Sequence, residues 1–335
     1  MRVPLRVLLG VLILFCCLPV RADFSKAPQV PALLAQLRDQ AGFTPAELDR
    51  VRSALADAQL LPQLIRAEQH AKERTLSWDQ YAPIHINAAN IANGLAFMQA
   101  QKQWLAKAQA EYGVPAAVIT AVLGVETKYG NNTGHVRVLD ALATMGFKHP
   151  TRGSFFLSEL EQFFVLCRDD RLDPTQLKGS YAGAMGSAQF MPSNYLRLGV
   201  DFDGNGVVNL WSAADAIGSI ANYLRNYRPE NEWQRGMLVM TPAHINGTLP
   251  PDIAINQRHM TTTIAGLEHD GITASVPLRG SLNAGLVRLD GSHGPQNWIT
   301  LHNFYSIMSY NPRIFYAMAV SQLAAALVAA QGTGE

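Results

Sequence analysis

The chain has 335 residues, of which 27 are basic and 26 acidic, so its net charge is +1 at neutral pH. Three of the basic residues, Arg2, Arg6 and Arg21, lie in an N-terminal leader, residues 1–22. Without them the chain has 24 basic and 26 acidic residues, and its net charge of about −2 argues against nucleic acid as a partner. The remaining length of about 310 residues exceeds a single typical core and predicts two or three subdomains.

Residues 1–22 have the layout of a secretory signal peptide. Basic residues precede an apolar run over 7–18, and Val20 and Ala22 supply the small residues of a cleavage site. We therefore expect cleavage just before Asp23 and a soluble periplasmic protein with no stable membrane insertion. The alternative is a membrane anchor, which the shortness of the apolar run disfavours.

The cysteines point to a mature chain without disulfides. Cys16 and Cys17 lie in the leader, which leaves Cys167 alone. Stability must then come from the core. A lipid anchor on Cys16 would need a small residue before it, and Phe15 stands there.

After the leader, the pattern predicts a mainly α protein in four parts. Residues 23–110 predict an N-terminal helical domain, because apolar residues recur there at helical spacing; they are Leu33, Leu34, Leu37, Leu48, Val51 and Leu55. Residues 111–230 keep the helical pattern, with Gly-rich and Asp-rich loops between the helices.

Residues 231–305 change to short runs of Thr, Val, Ile, Gly and Pro, as in 237–240, 261–264 and 285–289. These runs predict a small antiparallel β subdomain. Residues 306–335 predict a C-terminal helix that packs back on the helical domain, with Asn311 as its N-cap and Pro312 in its first turn.

The segment 114–130 predicts a helix that Pro115 begins and Gly130 ends. Glu126 lies at helical spacing from an apolar series, Ile119, Val122 and Leu123, and therefore on a core-facing stripe. Burial and the C-terminal end of the helix dipole both raise the pKa of such a carboxyl group. These are the conditions of a general acid. The alternative is a partly solvated or structurally paired glutamate.

The segment 178–193 is rich in Gly, Ala and Ser. Its glycines allow close backbone approach, and Ser180, Gln189 and Phe190 offer hydrogen-bonding and stacking groups suited to a sugar. The composition alone fits a tight packing face or a turn equally well.

The loop 201–215 matches the first half of an EF-hand calcium loop. Asp201, Asp203 and Asn205 stand at positions one, three and five, and a glycine follows at six. Ser212 replaces the usual glutamate at position twelve, and Asp215 is placed to close a longer loop. The alternative is an Asp/Asn/Gly turn without an ion.

Three motifs in order resemble the lytic murein transglycosylase B family, glycoside hydrolase family 103, in its soluble periplasmic form. They are Gly124-Val-Glu-Thr-Lys-Tyr-Gly130, Leu139-Asp-Ala-Leu-Ala-Thr144 and Ala182-Gly-Ala-Met-Gly-Ser-Ala-Gln-Phe-Met-Pro-Ser193. The resemblance runs from about Tyr81 to Ala319. It implies a lysozyme-like catalytic core with Glu126 as the sole acid/base and peptidoglycan glycan strands as the partner. It implies no organic cofactor and admits other cell-wall enzymes as partners.

The resemblance also implies roles for further residues. Ser180 and Gln189 correspond to positions that hold the N-acetyl and hydroxyl groups of the substrate. Cleft positions correspond to Arg152, Tyr223, Tyr310, Asn311 and Tyr316, with core packing as the alternative for Tyr223 and Tyr316 and a solvated surface role as the alternative for Arg152. Thr151-Arg152 replaces the two arginines that close relatives tend to carry, which affects recognition of the peptide stem. In the loop, a structural calcium ion is expected with the backbone carbonyl of Val207 as a further ligand.

A glycosidase ordinarily needs two carboxylates, and Asp140, Glu159 and Asp173 lack the setting of Glu126. We therefore expect substrate-assisted cleavage of the bond between N-acetylmuramic acid and N-acetylglucosamine, which leaves 1,6-anhydromuramic acid ends. The alternatives are a lysozyme-type muramidase that uses water and a non-catalytic peptidoglycan-binding protein.

Overall fold

The computed structural model describes residues 20–69, 76–292 and 294–332, and they are mainly helical, as predicted. Residues 1–19 of the predicted signal peptide lie outside the described residues. The α-helices are Val30–Asp39, Pro45–Asp57, Pro62–Gln69, Trp78–His85, Ala88–Ala100, Lys102–Tyr112, Ala116–Thr127, Val138–Lys148, Gly153–Asp169, Pro192–Leu198, Ala213–Asn226, Ile264–His269, His302–Tyr310 and Ile314–Gly332, with short 3-10 helices at Phe24–Lys26 and Pro229–Asn231.

The prediction of several helices after the leader is confirmed, and local chemistry explains where they begin. The helix Pro45–Asp57 has a capping box: the Thr44 hydroxyl accepts the Glu47 N–H, and the Glu47 carboxylate accepts the Thr44 N–H at 2.8 Å. The apolar residues that carried the helical spacing are buried; they are Leu33, Leu34, Leu37, Leu48, Val51 and Leu55.

The helix Ala116–Thr127 lies in the centre of the main core. It packs against the C-terminal helix Ile314–Gly332, and every residue from 117 to 124 is buried. The prediction of a one-sided apolar stripe was therefore too narrow, because protein surrounds this helix on all sides. The predicted end at Gly130 is also wrong. The helix ends at Thr127, and Lys128 and Tyr129 follow with φ angles of 50° and 62°.

The predicted small antiparallel β unit is confirmed. One sheet has five strands in the spatial order Thr262–Thr263, Asn283–Leu289, Gln296–Thr300, Met240–Ile245 and Ile272–Ala274, and each neighbouring pair is antiparallel. A separate apolar cluster, which includes Ile272, Leu286 and Ile299, stabilises this sheet. The run 237–240 contributes only its last residue, because the strand begins at Met240.

Two-stranded antiparallel pairs lie elsewhere. Val20–Arg21 pairs with Gln59–Leu60, and Val136–Arg137 pairs with Lys178–Gly179. The second pair places Ser180 directly after a strand.

The C-terminal region differs from the prediction in its helix boundaries. Asn311 does not cap the last helix; it terminates the preceding helix His302–Tyr310, and the last helix begins at Ile314. The helix His302–Tyr310 also runs across the predicted boundary at 305/306. The last helix is long and apolar enough to cross a membrane by length and composition, and half of its most apolar window is buried inside the protein. Packing against the central helix accounts for that apolar character.

Candidate active site

Glu126 lies in the last turn of the central helix Ala116–Thr127, next to two tyrosines of the C-terminal region. The helix buries Ile119, Val122 and Leu123 completely, whereas Glu126 is half-buried. The negative charge of Glu126 acts on both Tyr310 and Tyr316. The central helix therefore supplies the carboxylate, and the C-terminal helices supply its neighbours.

Tyr316 is buried at the start of the last helix and interacts directly with Glu126. Burial raises its pKa well above the ordinary value, and the nearby charge of Glu126 raises the pKa further. Its hydroxyl makes no hydrogen bond of normal length and angle within the described part of the chain. A neutral, buried Tyr316 hydroxyl is thus a near neighbour of the carboxylate.

Tyr310 connects Glu126 to the loop 182–190. Its hydroxyl donates to the backbone carbonyl of Ala188, and its ring stacks on that of Tyr316 with centroids 6.3 Å apart. Burial, followed by the charge of Glu126, raises its pKa well above the ordinary value. Tyr310 therefore stays protonated in the folded protein near neutral pH.

Phe190 and Tyr223 pack beneath Tyr310. Their ring centroids lie 5.8 Å and 4.6 Å from that of Tyr310, and the Tyr223 hydroxyl donates to the Ser309 carbonyl at 2.7 Å. Phe190 is only 1% exposed, so it has no open face for a sugar, and its predicted stacking role is corrected to support of Tyr310. Tyr223 and Tyr316 are buried as well, which corresponds to the packing alternative.

Gln189 presents one polar atom from a strained turn. Its φ is 51°, and its side-chain amide donates to the carbonyls of Gly186 at 2.9 Å and Thr133 at 3.2 Å. Both amide hydrogens are used in these bonds, so the side-chain oxygen is left to accept from a ligand. The predicted substrate-binding role of Gln189 stays a prediction.

Ser180 presents the complementary group. Its side-chain oxygen accepts the N–H groups of Ala184 at 3.0 Å and Ala182 at 3.3 Å, so its own hydrogen is left to donate. The backbone at this point is tightly packed, since a Cβ on Gly134 would lie 2.0 Å from the Gly179 carbonyl oxygen. The role of Ser180 in substrate binding also stays a prediction.

Arg152 belongs to a different cluster. Its guanidinium donates to the buried Glu68 carboxylate at 2.9 Å and lies over the rings of Phe155 and Phe156. The Glu68 carboxylate also faces His149 at 3.4 Å. These contacts do not join Arg152 to the tyrosines beside Glu126, so its predicted contact with substrate stays untested. Asn311 is half-buried and directly follows Tyr310 in the chain.

The predicted metal loop brings its carboxylates together. Asp201, Asp203 and Asp215 each offer an oxygen within 4.8 Å of the others. Asp215 is fully buried at the start of the helix Ala213–Asn226, and it accepts the N–H groups of Phe202 at 2.8 Å and Asn209 at 2.7 Å. A buried carboxylate in this position fixes both ends of the loop.

The donor set fits a hard divalent cation. Three backbone N–H groups bind the Asp201 carboxylate, that of Gly206 most strongly, and they hold its pKa below the ordinary value. The Asn205 side-chain oxygen accepts the Val207 N–H at 3.0 Å. Oxygen donors from Asp and Asn side chains in a short glycine-containing loop are the ligands that Ca²⁺ prefers.

The model of the transglycosylase SLT domain family matches residues 26–325. The chain belongs to this family. It is 37% identical over 318 residues to membrane-bound lytic murein transglycosylase B of Escherichia coli K12, which covers 92% of the chain and 85% of that protein.

Solved transglycosylase structures have the same fold. The catenated lytic transglycosylase SltB1 of Pseudomonas aeruginosa superposes with a TM-score of 0.85 at 38% identity, over 92% of this chain and 100% of that one. The Escherichia coli lytic transglycosylase Slt35 in complex with calcium superposes with a TM-score of 0.83 at 37% identity, over 94% and 97%. The predicted family and the lysozyme-like, mainly α fold class are confirmed.

The other acidic residues considered as a second catalytic carboxylate in this transglycosylase bind partners away from Glu126. Asp140 forms a bidentate ion pair with Arg137 at 2.7 and 2.8 Å. Glu159 is buried, and its pKa is raised by that burial, yet both oxygens accept from Ser193. Asp173 is exposed and accepts from Thr175. None of these partners belongs to the set of residues around Glu126.

The sequence did not single out Thr127 or Tyr129 of this transglycosylase. Tyr129 follows the central helix in a left-handed conformation, and its hydroxyl donates to the Asn90 carbonyl at 2.8 Å. Its ring fills the space that a Cβ would need at Gly94 and at Gly124. Two glycines inside helices, where they cost stability, were the available signal for this close packing.

Proposed function

We propose that the protein is a peptidoglycan lytic transglycosylase that cleaves the β-1,4 bond between N-acetylmuramic acid and N-acetylglucosamine and leaves 1,6-anhydromuramic acid ends. One observation carries the proposal: a single half-buried carboxylate, Glu126, borders the two protonated tyrosines Tyr310 and Tyr316, while Asp140 and Glu159 are bound to partners elsewhere. A site with one carboxylate suits a reaction in which the substrate supplies the second group.

Protonated Glu126 donates its proton to the glycosidic oxygen as the bond from C1 of the muramyl sugar to that oxygen breaks. The N-acetylglucosamine side leaves as an alcohol, and the muramyl N-acetyl oxygen stabilises the cationic C1. The Glu126 carboxylate then takes the proton from the C6 hydroxyl as that oxygen bonds to C1. Glu126 ends protonated again, and no water is consumed.

The two polar side chains of the 178–193 segment complement the muramyl sugar. The Ser180 hydroxyl donates to, and the Gln189 side-chain oxygen accepts from, its acetamido and hydroxyl groups. Tyr310 and Asn311 line the cleft, and Phe190, Tyr223 and Tyr316 hold Tyr310 and Glu126 in place. Arg152 is half-exposed and supplies a cation for a carboxylate of the peptide stem.

The test is Glu126→Gln, with mass spectrometry of the muropeptides released from purified sacculi. Glutamine keeps the shape and removes the titrating proton, so cutting falls by at least about a hundredfold to ten-thousandfold while the fold and glycan binding persist. The matched control is Glu159→Gln. Glu159 is a buried glutamate bound to Ser193, so this variant is expected to keep most of the wild-type activity.

Each result assigns the reaction class. Loss of cutting in Glu126→Gln, with anhydromuramic acid ends from the wild type, supports the proposal. Reducing muramic acid ends from the wild type would move the enzyme to hydrolysis with the same catalytic residue. Near wild-type cutting by Glu126→Gln would overturn the residue assignment, and binding without cutting by the wild type would favour the non-catalytic alternative.

We also infer a structural calcium ion in the loop 201–215. Asp201, Asp203, Asn205 and Asp215 would hold it with their side-chain oxygens, together with the Val207 carbonyl. The Slt35 calcium complex supports this inference. A bound ion would stabilise the loop by linking its two ends and would take no part in the proton transfers of Glu126.

The place of action follows from the substrate class. A peptidoglycan-cleaving enzyme works outside the cytoplasmic membrane, and the leader over residues 1–22 supports export to the periplasm as a soluble protein. Cell fractionation with N-terminal sequencing tests this. A periplasmic protein that begins near Asp23 is expected, and extraction by detergent alone, with lipid on Cys16 or Cys17, would contradict it.

A further inference from the structure

The hydroxyl of Thr127 lies at the centre of a small hydrogen-bond network beside Glu126. Thr127 is the last residue of the central helix and is 1% exposed. Its oxygen lies 3.0 Å from the Ser187 carbonyl and 3.3 Å from the Leu123 carbonyl, and it accepts the Gly130 N–H at 3.0 Å. A hydroxyl has one hydrogen, and the shorter distance assigns it to Ser187.

Ser187 belongs to the loop that carries Gln189. Its N–H donates to the Leu210 carbonyl at 2.7 Å, which fixes the peptide on one side. The next residue, Ala188, accepts the hydroxyl of Tyr310. The hydrogen bond from Thr127 therefore joins the end of the helix that carries Glu126 to the loop that carries Gln189.

The backbone next to Glu126 needs such an anchor. Helix ends leave carbonyl groups without intrahelical partners and tend to fray. The two residues that follow Thr127 have left-handed backbone angles, which are costly for side chains other than glycine. The Thr127 hydroxyl stabilises this turn by accepting from Gly130 and donating across to the loop.

We propose that Thr127 is a positioning residue: its hydroxyl sets the distance between the Glu126 carboxylate and the substrate-holding loop 182–190. The proposal rests on the proposed role of Glu126 as the acid/base. Displacement of a catalytic group by about 1 Å costs as much as about a hundredfold in rate. Loss of the hydroxyl is therefore expected to lower kcat more than it raises KM.

The test compares Thr127→Val with Thr127→Ser. Valine has nearly the shape of threonine without the hydroxyl, and serine keeps the hydroxyl. We expect Thr127→Val to lower kcat for anhydromuropeptide release by about tenfold to a hundredfold, with KM within about twofold of the wild type. Thr127→Ser should restore most of that kcat. Thr127→Ala, which lacks both the hydroxyl and the methyl, replaces the valine variant if that one does not fold and is expected to show the same loss.

Two threonines of the same fold provide matched controls. Thr120 lies on the same helix, is fully buried, and its hydroxyl has no hydrogen-bond partner in the described ranges, so Thr120→Val removes a hydroxyl that positions nothing. Thr144 is also fully buried, and its hydroxyl bonds to Gln59 and Leu61 away from Glu126. Thr144→Val therefore lowers the melting temperature, and its kcat stays at the wild-type value.

The outcomes are separable. A wild-type kcat in a folded Thr127→Val, an equal loss of kcat in Thr144→Val, or no recovery in Thr127→Ser would each overturn the positioning role. If Glu126→Gln, measured in the same assay, abolishes cutting while Thr127→Val keeps the wild-type kcat, the proposed function stands and this inference fails. If Glu126→Gln cuts normally, the proposed function itself fails.

Discussion

The buried hydroxyl of Tyr316 lies near the carboxylate of Glu126, and the charge of Glu126 acts on the proton of the tyrosine. Burial of Tyr316 and the charge of Glu126 raise the pKa of the tyrosine far above the pH range of enzyme assays. Tyr316 is therefore a permanent donor. A neutral hydroxyl that can turn its hydrogen toward a carboxylate favours the charged form of that carboxylate, so we expect Tyr316 to oppose protonation of Glu126.

Replacing Tyr316 by phenylalanine should move the alkaline limb of the pH profile to higher pH. In the proposed mechanism the first step needs protonated Glu126, so activity is expected to fall as pH rises and the carboxyl ionises. Removal of the donor favours the protonated form, and that form then persists to higher pH. The measurement is kcat/KM for anhydromuropeptide release as a function of pH.

Tyr223→Phe is the matched control for this shift. Its hydroxyl donates to the Ser309 carbonyl, and its pKa is raised by burial and by Tyr227 without a contribution from Glu126. The alkaline limb of Tyr223→Phe should coincide with that of the wild type. An unchanged or acid-shifted limb in Tyr316→Phe would contradict the interaction with Glu126.

The sequence predicted the helical class because its apolar spacing reports burial, and Leu33, Leu37 and Leu55 are indeed buried. It did not predict the end of the central helix. The Tyr129 N–H bonds back to the Leu123 carbonyl, which closes the helix with Lys128 in a left-handed conformation. Sequence rules assign that conformation to glycine, and the nearest glycine, Gly130, lies two residues further along.

The neighbours of Glu126 show a similar limit. Tyr310 and Tyr316 lie in a remote part of the chain, and only the family resemblance, not periodicity, pointed to them. Phe190 was misjudged because composition does not distinguish a ring that faces a sugar from one that lies beneath another ring. The partners that orient Ser180 and Gln189 are backbone groups, which a sequence does not display.

Gln189→Ala should impair the reaction less than Glu126→Gln. It removes one hydrogen-bonding oxygen and the two backbone contacts that orient it, but leaves the acid in place. A loss of about 1 to 2 kcal/mol in transition-state stabilisation corresponds to roughly fivefold to thirtyfold in kcat/KM. Gln176→Ala, at an exposed glutamine outside the site, is the control. An undiminished kcat/KM on sacculi would exclude Gln189 from substrate binding.

Gly124→Ala should destabilise the protein although alanine is the better helix former. A Cβ there would lie 2.7 Å from the Tyr129 hydroxyl oxygen and 2.8 Å from the ring carbon that bears it. The ring of Tyr129 stacks on that of Phe97 and its hydroxyl is bonded to Asn90, so the ring has little freedom to move. The clash outweighs the gain of about 1 kcal/mol in helix propensity.

The expected result for Gly124→Ala is a net loss of about 1 to 3 kcal/mol in the free energy of unfolding, measured by urea denaturation. Gly332→Ala, at the end of the last helix with nothing within 4 Å of the added atom, should be neutral. A Gly124→Ala variant as stable as the wild type would show that Tyr129 moves freely.

Calcium should raise the melting temperature through the loop 201–215. An ion that binds only the folded state stabilises it by mass action, by about 2.7 kcal/mol at a concentration of one hundred times Kd. Asp201→Ala removes a carboxylate that both faces the ion site and accepts three backbone N–H groups, so it should abolish the increment and lower the stability of the calcium-free protein. Asp252→Ala, at an exposed aspartate outside the loop, should keep the full increment.

The measurement is thermal unfolding in millimolar calcium and in chelator, together with the rate of muropeptide release at a temperature well below the transition. Because Glu126 lies on a different element, the rate should change far less than the melting temperature. Identical melting curves with calcium and with chelator would contradict an ion site in this loop.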